Sequence, residues 1–136
     1  MLNFYKNISI LYAEYGKRSR FNRKLLKYIC KNFNNSLDIE NSISMYNEYR
    51  FVNKFSYDIV IVDGDFGIEI IDKILSLNPK QKIIVNIHLG KNKEINKFQK
   101  RGIKYFIYEP LTTKEVNKVI ENIIMIWTII VFYQEA

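Results

Sequence analysis

Apolar positions along the chain fall into two alternating patterns. Short β-branched runs at residues 8–12, 59–62, 83–87 and 105–108 carry little polar interruption. Such runs suit strands buried on both faces of a parallel sheet. Longer stretches with a helical repeat separate them. Over residues 19–33, Phe21, Leu25, Leu26, Ile29 and Phe33 fall on one stripe. Over residues 68–77 the stripe is Ile68, Ile71, Ile74 and Leu75, and Asn78-Pro79 ends it because the residue before proline avoids helical geometry. Residues 91–100 are polar, with Ile95 and Phe98 facing inward and Gly102 placed as a C-terminal cap. Thr112 or Thr113 caps a last helix that carries Val116, Val119, Ile120 and Ile123 inward. Residues 36–55 are the weakest stretch. They predict a short edge strand near 37–39, then a helix through Met45, Tyr49 and Val52.

Strands and helices in strict alternation predict an α/β fold of the (βα)5 kind, a doubly wound parallel sheet with a C-terminal apolar extension. Its 136 residues suit one domain, residues 1–126, followed by an apolar tail over residues 127–136 that is not a separate domain. The longest apolar run, residues 123–133, is broken only by Thr128 and is about half the length a membrane-spanning helix needs. It predicts either a segment folded back on the core or a surface for a partner or a second copy.

Composition changes this picture little. The net charge is +7, and part of it lies in Lys17, Arg18, Arg20, Arg23, Lys24 and Lys27. That patch reads first as a solvated helix face. No basic run is interleaved with aromatics in a recognised nucleic-acid-binding motif, so nucleic acid is not the expected partner. The single cysteine, Cys30, sits on the apolar stripe and excludes a disulfide framework. With no leader pattern at the N-terminus, the expectation is a soluble cytoplasmic chain.

Ligands of open α/β sheets bind beyond the carboxyl ends of the strands, where strand order reverses. For a flavodoxin-like order 2-1-3-4-5 that point lies between the first and third strands. The first ends in Ala13-Glu14-Tyr15 and the third in Asp63-Gly64-Asp65. Glu14, Asp63 and Asp65 are therefore expected to converge, and carboxylates at a strand edge suit Mg²⁺, a hard cation that takes oxygen ligands. A zinc site is not expected, because His88 has no cysteine or second histidine at ligand spacing. Asp63 also suits the cap of the turn that follows it. Glu109 is expected to pair with Lys104 or Lys114.

Ile10-Leu11-Tyr12-Ala13-Glu14, Asp58-Ile59-Val60-Ile61-Val62-Asp63 and Phe106-Ile107-Tyr108-Glu109-Pro110 resemble the signature segments of bacterial response-regulator receiver domains. The run from Asn78-Pro79 to Val85 is similar to the family's entry into its fourth strand, and the likeness covers roughly residues 7–125. The resemblance implies that Asp63 is the phosphoacceptor, that Glu14 and Asp63 hold Mg²⁺ with the backbone carbonyl of Asp65, and that Phe106 is the switch aromatic. It also exposes departures. Tyr15 stands where a second acid would be. Ile87, with Asn86 and His88 beside it, stands where a Ser or Thr would be. Glu109 stands before Pro110 in place of a lysine. Phosphoryl transfer at such a site rests on positioning and electrostatic stabilisation, so these losses weaken it.

Three functions follow as expectations. The foremost is a pseudo-receiver in two-component (phosphorelay) signalling. It would act by protein–protein contact with a histidine kinase or downstream effector, through its fourth and fifth helices or its tail, with a homodimer through the last helix and tail as one form. It would not be an enzyme beyond autocatalytic aspartyl phosphorylation. The second is a phospho-accepting receiver using Asp63 with an unusual Mg²⁺ site of Glu14, Asp63 and Asp65. The third is a basic, nucleic-acid-associated transcriptional regulator.

Overall fold

The computed structural model describes residues 8–16, 20–31, 37–41 and 57–135, with the side chains of 37–41 and 127–135 left aside. Five strands, β1 (Ile10–Glu14), β2 (Leu37–Asn41), β3 (Ile59–Asp63), β4 (Lys82–Ile87) and β5 (Tyr105–Tyr108), form one sheet in the order β2-β1-β3-β4-β5. Every pairing is parallel. This is the doubly wound α/β arrangement that the alternating pattern predicts. Helices α1 (Arg20–Lys31), α2 (Ile68–Leu77), α3 (Ile95–Gln99) and α4 (Thr113–Glu135) accompany it. The expected helix through Met45, Tyr49 and Val52 lies outside the described residues, as do Lys17, Arg18 and Phe33.

Alternate strand residues feed two cores. On one face Ile10, Tyr12, Ile59, Ile61, Ile84 and Ile107 meet Leu26, Ile29 and Cys30 of α1 and Val116, Ile120 and Ile123 of α4. On the other, Leu11, Val60, Val62, Val85 and Ile87 meet Ile70, Ile71 and Ile74 of α2 and Phe98 of α3. Burying each such side chain stabilises the fold by about 1.5–3 kcal/mol, so the two-sided sheet is well anchored. Cys30 is buried and free, and that burial pushes its thiol up to about 12, so it behaves as the small apolar residue its place on the stripe predicts.

The element ends follow local chemistry. Helix α2 stops at Leu77, where Asn78 turns extended ahead of Pro79. Thr112 Oγ1 accepts from the Glu115 amide at 3.3 Å and caps α4. Residues 91–100 are not one helix: a 3₁₀ turn, Asn92–Glu94, precedes the short α3. Helix α4 is continuous through Glu135, so the tail prolongs the last helix, and no helix among the described residues is long and apolar enough to cross a membrane. Met125 and Ile126 on it are exposed.

One expectation fails on α1. Phe21, assigned to the inward stripe, is 62% exposed, and buried Asn22 faces inward instead. At about 100° per residue, Phe21 lies roughly 140° around the helix from Leu26, whereas Asn22 lies only about 40° away.

Two glycines shape the segment after β3. Gly67 takes φ 75° between the 3₁₀ turn Gly64–Phe66 and α2, a left-handed geometry that glycine adopts without penalty. Gly64 is buried so close to β4 that a Cβ there would sit 2.8 Å from the Asn86 carbonyl oxygen.

Candidate functional site

The strand register brings the polar chain ends together. Asp63 pairs with Asn86 and Ile87 with Tyr108, so the carboxyl ends of β3, β4 and β5 form one rim beside the end of β1. The rim lies at the strand-order reversal, where open α/β sheets place their sites.

Asp63 is buried, and both of its carboxylate oxygens are engaged. Oδ2 accepts from the Tyr15 amide at 3.3 Å. Oδ1 accepts from the Asp65 amide at 2.9 Å, which caps the 3₁₀ turn, and meets His88 Nε2 at 2.7 Å. His88 reaches the other way as well, with Nδ1 2.8 Å from Glu109 Oε1. An imidazole nitrogen needs a proton to donate to a carboxylate, so a ring held between two carboxylates favours the imidazolium form. Burial pulls the His88 pKa down. The charge of Asp63, its hydrogen bond, and the charges of Glu109 and Asp65 outweigh that, and the net shift is upward.

Glu109 is fastened at its second oxygen too. Asn22 Nδ2 donates to Oε2 at 2.6 Å and Asn86 Nδ2 at 3.0 Å. The expected pairing of Glu109 with Lys104 or Lys114 is thus replaced by His88 and two asparagine amides. Asn86 is fully buried, and its Oδ1 has no hydrogen-bond partner. Tyr12 lies beneath the rim. Its burial, with the charges of Asp63, Glu14 and Glu109, pushes its hydroxyl far up, so it remains a neutral phenol.

Glu14 is buried and faces Arg23 of α1, with Oε2 3.4 Å from Nε. Burial raises its pKa, Arg23 lowers it, and Asp63 raises it further, for a net upward shift. Among the described residues, the donor group close enough to share an ion consists of Asp63, Asp65 and His88, with ligand atoms within 4.8 Å of one another. Of the expected trio Glu14, Asp63 and Asp65, the structure brings Asp63 and Asp65 together, and the third donor beside them is His88 in place of Glu14. Two carboxylates and an imidazole suit a borderline ion such as Zn²⁺ better than Mg²⁺, which prefers oxygen throughout. Binding through Nε2 would also displace the His88 proton, so ion and proton compete for one place.

The remaining expected positions divide. Ile87 is buried in the core beneath the rim, and its neighbours Asn86 and His88 supply the polar groups. Phe106 is half-buried against the same core. Pro110 is exposed and follows Glu109 through a cis peptide bond. Tyr15, 41% exposed, stacks edge-on against Phe66 with ring centroids 5.3 Å apart. The bridging role of His88 and the two amides on Glu109 were not foreseen. The available signal was a glutamate where a cation is expected and a lone histidine ending the adjacent strand.

A cavity of about 750 Å³ lies at the opposite edge of the sheet, lined in part by Pro79, Lys82, Ile103 and Ile126, and takes no part in this rim.

No protein-family model matches the sequence, and no curated protein matches it. Solved structures do. A response regulator receiver domain protein from Clostridium thermocellum is similar with a TM-score of 0.69 at 19% identity, over 90% of this chain and 98% of that one. A CheY-like protein (tadZ) from Pseudomonas aeruginosa gives 0.68 at 10% identity, over 85% and 98%. NtrX from Brucella abortus, in complex with ADP, gives 0.73 at 16% identity over 93% of this chain, which spans only 28% of that longer protein. The polypeptide thus has the flavodoxin-like fold of response-regulator receiver domains.

Proposed function

We propose that the chain is a receiver-type regulatory module of a two-component pathway that acts by binding a partner protein, with phosphorylation of Asp63 weak or absent. One observation carries this reading: His88 sits between Asp63 and Glu109, 2.7 and 2.8 Å from them. A phosphoacceptor carboxylate needs one oxygen free to attack and cations arrayed around the incoming group. Here Asp63 Oδ1 already takes two donors and Oδ2 takes a third. The cation nearest to it is neutralised from its other side by Glu109. The partner is a histidine kinase or an effector, and the surface built from α3, β5 and α4, with its exposed Met125 and Ile126, is where it docks. The expected setting is the cytoplasm.

Incubation with a small phosphodonor and Mg²⁺, followed by intact-mass measurement, tests this. The expected result is little or no added mass. A stoichiometric gain of one phosphoryl group, abolished in Asp63→Asn, would overturn it.

A second reading rests on the donor group of Asp63, Asp65 and His88. In it the site loads a divalent ion and Asp63 accepts a phosphoryl group. Calorimetric titration with Mg²⁺ and with Mn²⁺ separates the two, and a lack of heat at millimolar concentrations of either ion defeats it.

A further inference from the structure

The outward face of α1 is not used by the rim. The helix carries Arg20, Arg23, Lys24, Lys27 and Lys31 and no acidic residue. Oppositely charged partners three or four positions apart would ordinarily relieve such a face. Here Arg20/Lys24, Arg23/Lys27 and Lys27/Lys31 are all like-charged pairs at that spacing. Arg20, Arg23, Lys24 and Lys27 alone line a shallow depression of about 290 Å³. Among the described residues, only Arg23 of this helix meets an acid, Glu14.

Two aromatic rings flank this charge. Phe21 is 62% and Tyr28 61% exposed. They stand seven residues apart, about 10.5 Å along the axis and nearly in line. The helix already has an apolar face in Leu26, Ile29 and Cys30, all buried in the domain's own core. The rings are thus surplus to packing and lie at the edge of a cationic strip.

We propose that this face binds single-stranded nucleic acid, with Arg20, Lys24, Lys27 and Lys31 on the phosphates and Phe21 and Tyr28 stacked on unpaired bases. Paired bases offer their edges but not their faces, so a duplex would not use the rings. An anionic membrane would need the apolar face that α1 has committed to the core. This inference is independent of the phosphorylation state of Asp63.

Fluorescence anisotropy of a labelled oligo-uridine with the full chain is the test. Four phosphate-binding cations, Arg20, Lys24, Lys27 and Lys31, predict a slope of log affinity against log salt near about −3. Phe21→Ala and Tyr28→Ala should each weaken binding about fivefold or more, while Tyr28→Phe retains it. Lys24→Gln with Lys27→Gln should reduce the slope by about 1.4. These residues are exposed, so the variants should keep the wild-type circular dichroism spectrum. No binding at low salt would overturn the proposal. So would equal binding of duplex with no effect of the ring variants. Ring-dependent uptake onto phosphatidylserine vesicles without oligo-uridine binding, or equally strong displacement by polyglutamate, would also overturn it.

Discussion

The acidic rim and the outward face of α1 hold comparable amounts of charge and treat it in opposite ways. At the rim, Asp63 and Glu109 close on His88, Asn22 and Asn86 donate to the second oxygen of Glu109, the Tyr15 amide donates to the second oxygen of Asp63, and the Asp65 amide shares the oxygen that meets His88. On α1, like charges stand beside one another with two rings open to water. Burial explains the difference. A buried carboxylate without a partner is costly, so the rim had to be completed from within. A solvated lysine costs little, so α1 can leave its charge for a partner. The rim behaves as an internal latch and the helix face as a contact surface.

The sharpest way to break this contrast is to remove the cation of the latch. His88→Ala should destabilise the fold by about 3 kcal/mol in urea denaturation, because it removes the one cation that Asp63 and Glu109 share. A loss below about 1 kcal/mol would mean that no latch exists. Glu109→Gln removes only the outer half of the bridge and should cost about 1–2 kcal/mol by the same measurement.

The pH dependence should be gentler and of definite sign. His88 titrates above its ordinary 6.5 in the folded chain and near it when unfolded. Its stabilisation is complete below pH 6.5 and is lost as pH rises through the elevated folded value. Glu14, raised above 4.5, acts in the same direction from a lower pH. In the absence of divalent ions the thermal midpoint should therefore fall as pH climbs past 6.5, and His88→Gln should flatten that part of the curve. A midpoint that rises there would contradict the bridged imidazolium. At the small end, Phe21→Ala should change stability by no more than about 0.5 kcal/mol, since its ring is outside the core.

Much of the fold was legible in the sequence. Ile59–Val62 is a β-branched run with no polar gap and Ile83–Ile87 is broken only by Asn86, and short β-branched runs of this kind suit a strand covered on both faces. Asp63 and Glu14 were legible because topology places strand ends 1 and 3 side by side. His88 was not. Its partners lie 25 and 21 residues away on different strands, and they meet only once the register Asp63↔Asn86 is known. Glu109 therefore looked like a bare negative charge, when it is half of a bridge. Phe21 is apolar but lies at the wrong angle for the inward stripe: buried Asn22 takes the inward place and donates its amide to Glu109.

Gly64 sets the width of the rim by what it lacks. With the Asn86 carbonyl oxygen 2.8 Å from where a methyl group would begin, the chain leaving β3 can lie flush against β4. Any side chain there would wedge the two apart. The carboxylate of Asp63 and the ring of His88 would then part by the same amount, although neither residue had been altered.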